Sequence, residues 1–409
     1  MTDVDADVVV RHVRGLRDPM VELVTRLASV ESPSDDPASQ APVQAILGEA
    51  LESLGFEVRR VGGRRGSPVA PRAASDPAPG VRATDPPGSG GHLYARPGRR
   101  TGGLPAQLLL GHSDTVWPHG TLATMPVALE DGRLHGPGTF DMKGGLTQIV
   151  FALRALKELG LEPPATPVVF VNSDEEVGSP DSRGLVRLLA GHVCRVFVAE
   201  PAYGPEGKLK TERKGMGRFD VHIHGRASHA GLAPEAGVSA IHELAHVIHA
   251  LHGFTDAESG VTVNVGTVEG GTRSNVVAAH AHATVDVRVV TVADGRRMEN
   301  AILGLAPRTP GVTLQVTGGV HIPPLERTPR NRRLWRQAQA AAEAMGLELE
   351  EVRSGGGSDG NTTSQLTATL DGLGPVGDGA HAVHEHLVVD AWVDRCALLA
   401  LLLMAPVER

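Results

Sequence analysis

Apolar residues first recur at helical spacing near the start of the chain. Met20, Leu23, Val24 and Leu27 stand at i, i+3, i+4 and i+7, which predicts a helix. A second helix is expected from about Ser39 to Leu54, ended by Gly55, and Phe56 to Val61 reads as a strand. Periodicity is then lost over 62–90, where twelve of 29 residues are Gly or Pro and four are Arg. That stretch carries too little apolar side chain to fold alone and reads as a flexible insertion. The pattern resumes with Gln107 to Leu110 as a buried strand. A helix follows from about Lys143, with Leu146, Ile149, Val150 and Leu153 on its inner face. Pro167 to Asn172 and Val193 to Ala199 are short apolar runs of strand length. Strands alternating with helices predict a layered α/β sheet.

From about Gly207 the texture changes. Phe219 to His224 alternates apolar and polar residues, a helix is expected over Glu235 to His252, and Val261–Val268 and His280–Val290 read as two strands. A helix over about Ala293 to Leu305 and a strand over Val312–Val316 complete a β-α-β-β-α-β order, the ferredoxin-like arrangement. Such a unit is self-contained, so 207–319 is expected to be an inserted domain, with 1–206 and 320–409 forming the first domain. The returning chain predicts a helix near Arg330 to Met345, a glycine-rich loop, and a final helix near Ala391 to Met404.

A length of 409 residues fits two domains better than one core. Aromatics are only 3% of the chain and the formal charge is −8, which argues against nucleic-acid stacking platforms and against attraction to anionic membranes. Two cysteines, Cys194 and Cys396, are too few for a disulfide framework or a cysteine-based zinc site and read as core residues. The first residues lack the charge and apolar pattern of a signal peptide, and no apolar run approaches the ~20 residues of a membrane helix. A soluble cytoplasmic protein is the expectation.

Polar residues of metal-ligating type cluster just after the predicted strands. His112 and Asp114 follow the first, Asp174, Glu175 and Glu176 the second, and Glu200 the third, while Asp141 precedes the helix at Lys143. In open α/β sheets the carboxyl ends of the strands line the ligand crevice. Singly, each is ordinary: an HSD triplet is commonly a turn, and an acidic trio a solvated loop or helix cap. Together, so many carboxylates in one crevice would repel unless cations neutralised them.

The segments GHSDTVWPHG, GPGTFDMKGG, NSDEEVGS, AEP, GRASHAG and GGGSDG occur in this order. As a set they resemble the zinc aminoacylase/carboxypeptidase family, which includes glutamate carboxypeptidase, acetylornithine deacetylase and succinyl-diaminopimelate desuccinylase. The resemblance covers nearly the whole chain apart from 62–90. It implies a zinc-peptidase catalytic domain with an inserted lid that forms a homodimer, and a small amide or peptide substrate. It also implies two Zn2+ ions per chain, with Mn2+ or Co2+ able to substitute. By the same resemblance, His112, Asp141 and Glu200 hold one ion, and Asp141 bridges to a second held by Glu176 and His381. Asp114 orients His112, and Glu175 is the general base. His229 stabilises the oxyanion across the dimer. Asn275 and Arg288 lie near the substrate, and Gly356, Gly357 and Ser358 line its pocket. Among the histidines of HAVHEH, His381 is the ligand the resemblance selects, with Glu385 four positions on; His384 and His386 read as surface or packing residues.

One departure bears on specificity. Where some relatives carry an arginine before a proline that grips a carboxylate, this chain has Ile322. A second zinc signature competes with the first. His242, Glu243 and His246 form a literal H-E-x-x-H, followed by His252. The longer zinc-protease pattern needs a glycine turn where His249 stands, and the motif lies in the inserted domain away from the carboxylates. A histidine-rich surface helix is the expectation there. A catalytically inactive binding protein on the same scaffold is the non-enzymatic alternative, although all five ligands and the base are present.

Overall fold

The structure, a computed structural model, describes residues 5–62, 90–98 and 103–407. Most of the 62–90 stretch lies outside the described residues. A six-stranded sheet organises the first domain, in the order Phe56–Val61, His92–Pro97, Thr166–Asn172, Ala106–His112, Arg195–Val198 and Ala368–Leu370. The last four run parallel, and the first two are antiparallel additions at one edge.

Side chains alternate across a strand, so a strand covered on both faces has to be apolar at every position. Leu109, Val169, Val171 and Phe197 enter one core, packed under the helices Ala6–Gly15, Arg17–Ala28, Gln40–Ser53, Gly144–Glu158, Pro329–Ala344 and Val389–Met404. Leu108, Leu110, Val168, Phe170, Val196 and Val198 enter a second core beneath the helix Arg183–Ala190. This three-layer arrangement explains why those strands read as continuous apolar runs. No helix among the described residues is long and apolar enough to cross a membrane.

The inserted unit is a four-stranded antiparallel sheet in the order Thr262–Gly270, His280–Val289, Gly215–His224, Thr313–Ile322. Its helices Ala240–His252 and Val292–Leu303 pack on one face, giving the ferredoxin-like topology. The other face carries polar side chains. Two boundaries differ from the sequence pattern. The helix starts at Ala240 rather than 235, because the Ser239 side chain accepts the His242 N–H as N-cap at 3.2 Å. The last strand extends to Ile322, through a Gly-Gly pair that resembles a turn. At Gly318 φ is +125°, and a Cβ there would meet the Arg218 carbonyl at 2.1 Å, so only glycine lets the strands approach.

Short strands absent from the periodicity complete the scaffold. Leu209–Arg213 pairs in parallel with Glu351–Ser354, just before the lid sheet begins. A small sheet of Gly377–Asp378, His386–Val388, Arg133–His135 and Ala128–Glu130 holds the connection that carries His381.

Candidate metal centre

The carboxyl ends of the parallel strands deliver the polar residues to one place. His112 ends its strand, buried at 1% exposure. Its Nδ1 lies 2.9 Å from the backbone carbonyl of Asp114 and 3.5 Å from that residue's carboxylate. The nearer partner is thus the carbonyl, which takes the Nδ1 proton and turns Nε2 toward the other carboxylates. Nε2 faces Asp141 at 3.3 Å and Glu200 at 3.4 Å. Burial lowers the affinity of His112 for a proton, but the carboxylates of Asp114, Asp141 and Glu200 outweigh it and hold its pKa well above the usual value.

The Asp114 carboxylate has a further task. It accepts hydrogen bonds from Ser34 Oγ at 2.8 Å and from the backbone N–H groups of Glu175 and Glu176 at 3.3 and 3.2 Å. It therefore sets the turn that carries the acidic trio, and that turn separates three adjacent acids. Asp174 turns inward and accepts the N–H groups of Asp181 and Ser182 at 2.7 and 3.1 Å. Glu176 lies 3.1 Å from His381 Nε2. Glu175 belongs to neither ligand group, and burial, with Glu200 close by, pushes its pKa well above the carboxylate range.

Two triads of ligand atoms result, His112–Asp141–Glu200 and Asp141–Glu176–His381, with atoms within 4.8 Å of one another in each. Asp141 is common to both. His381 has φ of +60° and is half exposed. Its hydrogen bond to Glu176 raises its pKa to about 9. The donor set fits divalent ions. Glu176 Oε1 is buried without a hydrogen-bond donor, and Asp141 Oδ1 has only the 3.3 Å approach of His112 Nε2, a costly state for carboxylate oxygens that a cation would relieve. Mixed imidazole and carboxylate ligands suit zinc, manganese or cobalt.

Three supports were not legible as such in the sequence. Glu385, 1% exposed, accepts the N–H groups of Gly138, Phe140 and Asp141 at 2.9–3.0 Å and Trp117 Nε1 at 2.7 Å, so it pins the backbone that presents Asp141. Burial pushes its pKa to about 7 against the pull of these donors. Arg213 and Asp371 form a buried bidentate pair at 2.7 and 3.0 Å. Arg213 also reaches Glu200 at 3.4 Å and the carbonyls of Gly356 and Gly357 at 3.2 and 2.9 Å. The only sequence signal for Asp371 is its place after the fourth parallel strand.

Ser358 caps the short helix Asp359–Thr363 and donates to Asp371. Met216 and Ile322 approach Gly357, giving this rim an apolar edge. Arg288 is opposite Met216 in the lid register and pairs with Asp286 at 2.8 Å. His229 and Asn275 are exposed on the lid, where Asn275 O accepts the Ala230 N–H. His229 Nδ1 accepts the N–H groups of Gly231 and Leu232, both at 3.1 Å, which leaves Nε2 as the proton-bearing nitrogen.

The H-E-x-x-H reading fails on geometry. The Glu243 carboxylate is fully buried and accepts the N–H groups of Arg308 and Thr309 at 2.9 and 2.7 Å, so it tethers a loop instead of serving as a base. His242 and His246 meet edge to face, and among the described residues no metal-type group includes them.

With three-layer fold, ferredoxin-like insert and paired triads in place, the class is a metallohydrolase. The model of peptidase family M20/M25/M40 matches residues 108–405, and the chain belongs to that family. It is 29% identical over 393 residues to carboxypeptidase G2 of a Pseudomonas species, covering 94% of this chain and 88% of that protein. Aminopeptidase PepT from Bacillus cereus superposes with a TM-score of 0.75 at 23% identity, covering 95% of this chain and 98% of PepT. The Bacillus subtilis YxeP protein, a dinuclear metal binding peptidase of the M20 family, superposes with a TM-score of 0.68 at 15% identity, covering 96% and 98%. These two structures share the fold.

Proposed function

We propose that this chain is a two-zinc amidohydrolase of carboxypeptidase or N-acyl-amino-acid deacylase type, acting on a small substrate with a carboxylate beside the scissile bond. The observation that carries this reading is the pair of triads sharing Asp141, with under-satisfied carboxylate oxygens and Glu175 free beside them. His112, Asp141 and Glu200 would hold one ion, and Asp141, Glu176 and His381 the other, with manganese or cobalt as possible substitutes. When bound, two such ions lower the pKa of an attacking water toward ~7 and stabilise charge on the carbonyl oxygen. Glu175 takes the proton of that water and returns it to the leaving amine. Asp114 holds the Glu175–Glu176 turn and, through its carbonyl, the tautomer of His112. Residues 1–206 and 320–409 form the catalytic domain. Gly356, Gly357 and Ser358 line the substrate pocket, and Arg288 and Asn275 face the substrate from the lid, 207–319.

The test is turnover of a panel of N-acyl amino acids and dipeptides with zinc, manganese and cobalt. Hydrolysis should require a free carboxylate beside the scissile amide, and its amide-capped counterpart should lose most of the rate. A fully metal-loaded protein inert on the whole panel would refute the reading.

The exposed His229 and Asn275, whose hydrogen bonds noted above stay within the lid, suit a site completed by a second copy through the lid. His229 Nε2–H would then stabilise the oxyanion of the neighbouring subunit. Mixing inactive His229→Ala with inactive Glu175→Ala should restore part of the activity through hybrid sites. No recovery after demonstrated subunit exchange would count against a shared site.

A further inference from the structure

The polar face of the lid sheet carries four histidines on its two central strands. His224 is directly opposite His280, and His222 directly opposite His282. Residues two apart on a strand share a face, so the four form a square array. The rings of His222 and His282 stack at 4.4 Å between centroids, and those of His224 and His280 meet edge to face at 5.1 Å. Nothing in the catalytic reading uses them. Met216, at the catalytic end of the same strand, is six and eight residues from His222 and His224, about 20–27 Å at the rise of a strand.

We infer that this array is a second metal site, for a divalent transition ion of the zinc, nickel or copper class, clasped by the facing Nδ1 atoms of His224 and His280. Those atoms are 3.0 Å apart. Two imidazole nitrogens bound about 2.0–2.1 Å from one ion stand about 2.9–3.4 Å apart, between square and tetrahedral angles. The two rings therefore already hold the separation that shared coordination requires. Both are exposed, so ion and water can reach them. Asp220 fixes the neighbouring pair from one side. Asp220 Oδ1 lies 3.2 Å from His282 Nε2 and accepts the Thr284 hydroxyl at 3.1 Å. A carboxylate on one ring nitrogen leaves the other with its lone pair, the tautomer a ligand needs. Among the described residues no third His, Cys, Asp or Glu ligand atom closes a group with the facing pair, so His224 and His280 form a two-histidine clasp whose remaining positions fall to water, with His282 and His222 stacked beside it. Because the strands are central in the sheet, the array stays clear of both sheet edges.

The inference is independent of the catalytic proposal, since its test compares two proteins with the same catalytic residues. Metal per chain is counted after equilibrium dialysis against Zn2+ and, separately, Ni2+, for the holoenzyme and for His224→Ala/His280→Ala. The variant should bind one equivalent less, with its remaining metal and its turnover unchanged. Cu2+ added to the holoenzyme should give a paramagnetic resonance spectrum with nitrogen couplings that the variant lacks. Both positions are exposed, so the variant is expected to fold, and circular dichroism checks this. Equal metal content in the two folded proteins, with no nitrogen-coupled copper signal that depends on these histidines, would overturn the site and leave the pair as a hydrogen bond between imidazoles.

Discussion

Glu175→Gln lowers turnover by about 10²–10⁴, the range for loss of a general base, while both metal equivalents stay bound. The expectation rests on how three consecutive acids divide. Asp174 is committed to the N–H groups of Asp181 and Ser182, and Glu176 to His381. Glu175 is left beside Glu200 without a place in either triad, and burial keeps its proton affinity high. Glutamine preserves shape and removes the ability to accept a proton. The loss should fall on kcat with little change in substrate affinity, because the proton moves only as the bond is attacked. Metal content measured on the same preparation separates the outcomes. Full activity would end the proposed mechanism. An inactive protein that has also lost metal would mean that Glu175 and Glu176 exchange roles.

Asp141→Ala is expected to empty both metal positions and abolish turnover, whereas Glu200→Ala and His381→Ala each mainly empty one. The reason is that Asp141 alone belongs to both triads. Without its carboxylate, each ion would keep only two protein ligands, and the remaining carboxylates would repel across the gap. The substitution should leave the fold in place. The backbone here is held by Glu385 through the N–H groups of Gly138, Phe140 and Asp141, not by the Asp141 side chain. Elemental analysis of the three variants, each with its circular dichroism spectrum, is the measurement. A variant at Asp141 that keeps one full equivalent would show that the two positions fill independently and that the carboxylate does not bridge.

Much of the architecture was legible because its causes are local. A strand covered on both faces is apolar at every position, so Ala106–His112 and Thr166–Asn172 stand out, and the polar residue ending each marks the crevice. Strands of three to six residues with mixed faces, such as His92–Pro97 and Ala368–Leu370, have no such signature; their hydrogen bonds come from neighbours distant in sequence. Thr313–Ile322 was half visible, since its glycines read as a turn until the close approach to Arg218 gives them another purpose.

By itself the sequence determined the order of the elements, the insertion of a ferredoxin-like unit and the identities of the residues that meet at the strand ends. These follow from side-chain periodicity and from backbone rules that act over a few residues. The tertiary structure alone decided that the Asp114 carboxylate holds the turn separating the three acids, and that the buried Glu243 is a tether. It alone joined Arg213 to Asp371 across 158 positions behind Glu200 and the Gly356–Gly357 carbonyls. It also set the four lid histidines into one array by register. Each of these depends on the convergence of groups from separate elements, and a buried carboxylate or imidazole takes its role from the donors and charges that surround it after folding.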